Sequence, residues 1–409
     1  MQKLTDCPAR DRMLLSTIPT RKHHMPADLP LLPRQRIIAI DALRGLTFFV
    51  MLFVNCLAGA DGVPYGLQHF AANVDGMSLA DIVFPAFLFV VGTSIPFGLN
   101  HRLAIAGGMP QTLRQVAARA FGLIVIGFYM VNTEDGYNEA AMGMSIALWA
   151  LFLYVAVLMV WGPFNKVVRT AGVLVLIALA FVYRSGADGQ GWMTPAWWGI
   201  LGCIGWAYLA ASLVYLAGRG RLTVLIVAAI ACVAWFIASD RLDGNGVLAM
   251  HATHTSIVLS GAVCVLLFFD GRRGAAGSAR LKAGIVLTVV LALAAWLLHH
   301  VYPISKIGAT PPWALYCAAI CCGLFVLLYY VIEQRRITRW TALVQPAAAN
   351  PLVTYLLPMV LVTAMRYLHL QWWPTLTHGA GAIAFSLLFA VAMLAVVAVL
   401  NRYNIKLKL

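Results

Sequence analysis

Stretches of about 20 apolar residues recur along this chain, each long enough to cross a hydrocarbon core of about 30 Å. Twelve can be marked, at approximately 37–57, 79–99, 113–131, 143–161, 166–183, 196–217, 222–238, 254–269, 282–299, 312–332, 348–367 and 379–400. A backbone inside a bilayer must satisfy its own hydrogen bonds, which leaves helices or closed barrels. No segment alternates as a barrel strand would. The chain therefore reads as an all-α, polytopic integral membrane protein of about 12 transmembrane helices (10–12). Composition agrees: 62% of its 409 residues are hydrophobic and 11% charged, against about 25% charged in soluble domains.

Residues 1–33 are polar, rich in Pro, Arg and His, and lack the apolar core of a signal peptide. They read as a disordered cytoplasmic tail, and Met25 is a candidate start because organised sequence begins near Arg34. The net charge of +14 invites a nucleic-acid reading, but the distribution argues against it. Of 29 Lys and Arg, five lie in the tail, and only Arg184, Arg241, Lys306 and Arg366 fall in loops and helix ends on one side. All the others fall on the other side, which predicts an N-in, C-in topology by the positive-inside rule. The basic residues then report orientation and anionic headgroups, a few being free to hold a phosphorylated ligand. The cysteines form no C-x-x-C knuckle and, apart from Cys7, lie within or at the ends of apolar segments. They read as small packing residues, with no disulfide framework and no metal expected.

This topology gathers polar residues at the outer face. His69, His251, His254, His299, His300, His369 and His378 fall there, as do Asp61, Asp75, Asp81, Glu134, Asp135, Glu139, Asp188, Asp240 and Asp243. Trp192, Trp197, Trp198, Trp313, Trp372 and Trp373 accompany them, as an interfacial belt or a sugar-stacking platform. The first helix pair is the most pointed case. His69 sits in the polar loop 58–78, Asn55 near the end of the segment before it, and Asp81 in the first turn of the one after. Polar groups at the lip of a membrane helix pair are expensive, and function is one reason to keep them. Asp81 also suits the first turn of a helix capped by Ser78, a role compatible with orienting His69.

At the inner face, Asp41 and Arg44 are spaced i, i+3 and share a helix face. They form either an internal ion pair or an arginine held for a phosphate. The outer loop 302–313 carries Lys306, against the charge rule, beside two histidines and several aromatics. It is a loop charge or a ligand contact. Asn350 precedes Pro351, a good helix opener, and can serve as its cap.

These residues resemble a known family. Arg36-x4-Asp41-x2-Arg44-Gly45, Phe53-Val54-Asn55, His69 and Ala80-Asp81-Ile82-Val83-Phe84-Pro85 are similar to the heparan-α-glucosaminide N-acetyltransferase family of transmembrane acetyltransferases. Pro303-Ile304-Ser305-Lys306 and Asn350-Pro351-Leu352-x2-Tyr355 resemble its late loop and following helix, and Trp197-Trp198-Gly199 resembles its bacterial NagX branch. The resemblance runs from about residue 34 to 400 and is dense at 36–99 and 303–313. It implies one transmembrane acetyltransferase domain over 34–409, in a bacterial inner membrane. Cytoplasmic acetyl-CoA would be the donor and an amino sugar or saccharide at the periplasmic face the acceptor. His69, Asn55 and Asp81 match the family's active-site residues. Arg44 with Asp41, Asn350 and Tyr355 are the expected CoA contacts, and Lys306, Asp75 and His300 the expected acceptor contacts. The chain lacks the lysosomal member's large luminal N-terminal domain and has two more residues between His69 and Asp81, which points to a smaller acceptor.

The chemistry suits these residue types. A thioester is already activated, so no metal is required. A histidine is suited to taking the amine proton, an asparagine amide to donating to the carbonyl oxygen, and a carboxylate to fixing the imidazole. Expected partners are acetyl-CoA, the sugar acceptor and membrane lipids, with homodimerisation open and no nucleic acid. The alternative is an inner-membrane transporter of N-acetylglucosamine or related sugars. It is weakened because no internal repeat of the transporter kind is visible.

Overall fold

The apolar segments fold as helices because each carries enough consecutive hydrophobic residues to bury a self-satisfied backbone. The computed structural model describes residues 29–33, 36–105, 108–242, 246–273, 277–370 and 376–407. Cys7, His23, His24, Met25, Arg34, Asp243, Trp372, Trp373, Lys408 and most of the expected tail lie outside them. In chain order the helices are α1 (Ile38–Leu57), α2 (Leu79–Ile105), α3 (Met109–Val131), α4 (Glu139–Met142), α5 (Ile146–Trp161), α6 (Lys166–Val182) and α7 (Gly199–Ala217). They continue with α8 (Leu222–Leu242), α9 (Val247–Phe269), α10 (Gly277–His299), α11 (Pro311–Tyr329), α12 (Thr341–Ala349), α13 (Pro351–Tyr367) and α14 (Gly379–Arg402). There is no strand among the described residues.

The chain is an all-helical, multi-pass membrane protein. Among the described residues nine helices are long and apolar enough to cross a membrane, or ten if the bent pair α12–α13 counts as one span. Each expected segment coincides with a helix or with that pair, but α5 and α6, at 16 and 17 residues, are short for a crossing. The break between α12 and α13 is 89°. It falls at Asn350-Pro351, where proline suits the first position of a helix and disfavours helical backbone at the residue before it.

Helix α9 is the centre of the bundle. Some 89% of its span is buried, against 11% for α8 and α10, whose Val, Leu and Ile side chains face outward. Its small residues explain the position, since association in lipid depends on close backbone approach. A Cβ on Gly92 of α2 would lie 1.9 Å from the Val258 carbonyl oxygen, and one on Gly261 of α9 would lie 2.2 Å from the Phe89 carbonyl oxygen. The two helices thus touch backbone to backbone.

Two expectations need correction here. Segment 254–269 begins too late: α9 starts at Val247, so His251 and His254 lie within its first turns, and His254 is buried. Trp313 is fully buried and belongs to the core rather than to an interfacial belt. In addition, residues 29–33 lie against the bundle. The Asn100 amide donates to the Pro30 carbonyl at 3.0 Å, and the Gly271 N–H to that of Leu31 at 2.8 Å.

Substituting Gly92→Ala should lower stability by about 1–3 kcal/mol through overpacking, seen as a fall in the thermal midpoint in detergent. Gly98→Ala on the same helix, where a Cβ meets nothing within 4 Å, should not lower it.

Candidate active site

Helix α2 opens on a reciprocal cap. The Asp81 N–H donates to Ser78 Oγ, and the Ser78 N–H donates to Asp81 Oδ2, both at 3.2 Å. This arrangement satisfies donors that a helix start leaves unpaired. Ser78 Oγ at 3.0 Å and the Phe70 N–H at 3.2 Å also donate to Oδ2. Oδ1 remains for His69, whose Nδ1 lies 2.8 Å away. A carboxylate only accepts, so Nδ1 carries the proton of this bond, and in the neutral ring Nε2 is the unprotonated nitrogen. The Asp81 side chain is 1% exposed and that of His69 is 42% exposed. The carboxylate thus holds from the interior an imidazole that reaches the surface. Behind Asp81, the Trp313 indole donates to its backbone carbonyl at 3.3 Å.

Lys306 completes the group. Its Nζ lies 3.1 Å from His69 Nδ1 and 3.7 Å from Asp81 Oδ1. With the Nδ1 proton committed to Asp81, the ammonium acts on the pair as a charge. Burial lowers the pKa of Lys306 and the Asp81 carboxylate opposes that fall. The loop is fixed by its own hydroxyls: the Ser305 N–H donates to Thr310 Oγ1 at 3.0 Å, and the Gly308 N–H to Ser305 Oγ at 3.1 Å.

Asp75 ties this loop to the His69 loop. It accepts from the Ile304 N–H at 2.8 Å and pairs with His299 Nε2 at 3.0 Å, while the Gly76 N–H donates to the Ile304 carbonyl. His299 rather than His300 is the histidine that joins the cluster. His300 turns away, donating Nδ1–H to the Trp296 carbonyl at 2.8 Å. Asn55 is exposed in the last turn of α1, and its side chain makes no hydrogen bond among the described residues. No hydrogen bond joins it to His69 among the described residues.

The far part of α2 lines a cavity of about 580 Å³. Arg44, Ser94, Arg102, Arg119, Tyr208 and Tyr355 supply its polar lining, among apolar residues from α1, α2, α3, α7 and α13. Arg44 donates to Asp41 Oδ1 at 3.1 Å and to Ser94 Oγ at 2.7 Å, and Arg36 pairs with the same Asp41 carboxylate. Arg119 lies over the Tyr208 ring at 5.1 Å. Arg102 Nη1 and Arg119 Nε are buried and have no hydrogen-bond partner. Buried guanidinium donors left unpaired beside a cavity are suited to an anionic ligand. Asn350 is not in the lining: its amide donates to Asn401 Oδ1 at 3.0 Å and to the Ile405 carbonyl at 2.8 Å, and does not cap α13. In the sequence Arg102 and Arg119 count only toward the charge asymmetry, and their positions within apolar helices are the signal that could single them out.

The Ile304 N–H, with His299, holds the Asp75 carboxyl below the ordinary carboxylate range. A carboxyl depressed in the folded state adds stability above its unfolded pKa and loses it as pH falls through the folded one. Wild-type thermal stability should therefore fall as pH drops below about 4. Asp75→Ala should flatten that fall in differential scanning fluorimetry.

Over 128 residues the chain is 33% identical to the heparan-alpha-glucosaminide N-acetyltransferase of Mus musculus, covering 30% of this chain and 19% of that protein. It is 34% identical over 97 residues to the protein of that name from Homo sapiens, covering 24% and 14%. The chain thus matches less than a fifth of the length of these relatives. They carry the name of the family that residues 36–99 resemble. A family model described as a domain of unknown function, DUF5009, matches residues 36–243. That match spans more than half of the chain, which belongs to the DUF5009 family.

Proposed function

We propose that this protein is a transmembrane acetyltransferase that moves the acetyl group of cytoplasmic acetyl-CoA to the amine of an amino sugar at the periplasmic face of a bacterial inner membrane. One observation carries the reading: a single helix, α2, holds Asp81 with His69 at one end and lines an arginine-bearing cavity along the rest. Its lining residues run from Phe87 to Arg102, about 22 Å at 1.5 Å per residue. The near end is about 9 Å of helix from Asp81. That is the shape an extended donor needs if its phosphates stay at the basic end and its acyl end approaches the histidine.

The residues fit such a ligand. The unpaired nitrogens of Arg102 and Arg119, with Arg44 held by Asp41 and Ser94, would take the phosphates. Tyr355 and the apolar lining suit a thin flexible arm. Acetyl-CoA supplies an acyl group already activated as a thioester. His69 Nε2 is the base that takes the proton released by the acceptor amine. Asp81 keeps Nδ1 protonated so that Nε2 stays free. The Lys306 ammonium offers positive charge where a carbonyl oxygen would gain negative charge, and Asn55 is available at the same lip once an acceptor is bound. The charge asymmetry of the loops supports the basic end as cytoplasmic.

Purified protein should consume acetyl-CoA in the presence of glucosamine. His69→Ala should lower kcat by about 10²–10⁴-fold while the protein elutes as wild type on size exclusion. Arg102→Ala with Arg119→Ala should weaken acetyl-CoA binding at least about tenfold, each lost charge-assisted contact being worth about 1.5–3 kcal/mol. Wild-type protein that neither binds nor consumes acetyl-CoA, in vesicles that accumulate labelled N-acetylglucosamine, would replace the enzyme reading with transport.

A further inference from the structure

A second group of chemistry-bearing side chains lies deeper in the bundle and has no part in the acetyl-transfer reading. His251 and His254 are spaced i, i+3 on α9 and so share a face. Cys203 comes from α7, which packs on α9. One donor atom from each of the three lies within 4.8 Å of the others. Cys203 and His254 are buried. Both ring nitrogens of His251 and Nδ1 of His254 are buried without a hydrogen-bond partner. Buried imidazole nitrogens are normally paired, because leaving one unpaired forfeits its hydration with nothing in return. Three such nitrogens beside one sulfur are an incomplete site rather than ordinary packing.

The donor set selects the ligand. The group contains no carboxylate, which argues against the hard, oxygen-seeking cations. Imidazole and thiolate suit soft or borderline ions. Metal–nitrogen and metal–sulfur bonds of about 2.0 and 2.3 Å would put the donors roughly 3.5–3.8 Å apart in a trigonal shell. A contraction of about 1 Å, within the reach of side-chain rotation, completes it. Charge then decides the ion. One thiolate and two neutral imidazoles around Cu(I) sum to zero, whereas Zn(II) would leave a net positive charge among Trp206, Trp313 and Phe84, the rings beside the two histidines. Zn(II) also wants a fourth ligand that the group does not offer.

We infer that Cys203, His251 and His254 form a three-coordinate Cu(I) site joining α7 to α9. Binding forms the copper–sulfur bond and releases the Cys203 thiol proton to solvent, with no change of oxidation state. The Cys203 sulfur now donates to the Trp197 carbonyl at 3.2 Å, a contact that gives way when the thiolate turns to the ion. Trp313 separates the site from Asp81, contacting His254 on one side and donating to the Asp81 carbonyl on the other. A loaded ion would therefore stiffen the wall behind the His69–Asp81 pair.

The test uses the full-length protein, stripped with a chelator and titrated anaerobically with Cu(I) against a chromogenic competitor, and separately with Zn(II). The expected result is about one equivalent of Cu(I) per chain, with an X-ray absorption shell of two nitrogens and one sulfur. Cys203→Ser and His254→Ala should each weaken retention at least about 100-fold, since even outer-shell changes cost 10–100-fold. Cys264→Ala removes a different buried thiol, one paired with Cys322 at 3.7 Å, and should leave retention unchanged. Retention of Zn(II) in preference to Cu(I) overturns the copper assignment. Retention of neither ion by wild-type protein, or a wild-type shell of sulfurs alone, overturns the site. Because the absorption shell is read on wild-type protein, a variant that fails to fold does not blunt the test.

Discussion

A carboxylate buried at the mouth of an apolar bundle must be compensated on every lone pair it presents, and Asp81 is where this chain meets that demand. Two backbone N–H groups, a hydroxyl, an imidazole and an ammonium surround it. The donors come from the His69 loop, the start of α2 and the Lys306 loop, the last more than 200 residues from the other two in sequence. One buried charge therefore closes the mouth of the bundle. It also fixes which nitrogen of His69 is protonated and sets a cation beside the ring. Removing the carboxylate would release all of these groups at once, whereas removing His69 would leave the other donors in place. That asymmetry separates the structural role of Asp81 from the chemical role proposed for His69.

The opposite end of α2 follows a different economy. Asp41 takes Arg36 and Arg44 together, so one carboxylate partly neutralises two guanidinium groups. Arg102 and Arg119 receive no such partner on the nitrogens they bury. The broken α12–α13 pair contributes lining to the same cavity through Ala348, Pro351, Leu352 and Tyr355. Interrupted backbone at membrane depth is tolerated where it is covered by protein or lines a cavity, and here it does both.

Much of this was legible in the sequence. Apolar run length located the helices, because burial in lipid demands continuous hydrophobicity. The spacing Ser78-x2-Asp81 announced the cap, and the break of the charge rule at Lys306 singled out the cation that meets His69. What was not legible depends on rotation and distance. Nothing in His299-His300 says which ring turns toward Asp75. Asn350 lies at a helix start as expected, but its amide turns to the end of α14. The run His251-Ala252-Thr253-His254 reads as polar and loop-like, yet its hydroxyls are absorbed by the helix. Thr253 Oγ1 donates to the Ala249 carbonyl and Thr255 Oγ1 to that of His251, so the segment can be buried. Cys203 lies 48 positions before His251, too far for any local motif to join them.

A single criterion sorts the polar groups of this bundle. Asp75, Asp81, Asn100 and the Asn350 amide nitrogen are satisfied by the chain itself, and each ties segments together. Arg102, Arg119, His251 and His254 carry buried nitrogens that the chain leaves unpaired, and in each case more than one such group converges on a common space. Single unpaired atoms, such as Ser212 Oγ or the Asn350 side-chain oxygen, make no comparable claim. Convergence matters because one unpaired group is a small local loss that packing can outweigh. Two or three sharing one volume are losses that a single ligand can recover together. By that reasoning the arginine cavity calls for an anion and the Cys203–His251–His254 group for a soft cation. The exposed side of His69 needs neither, since its ring is open to the surface.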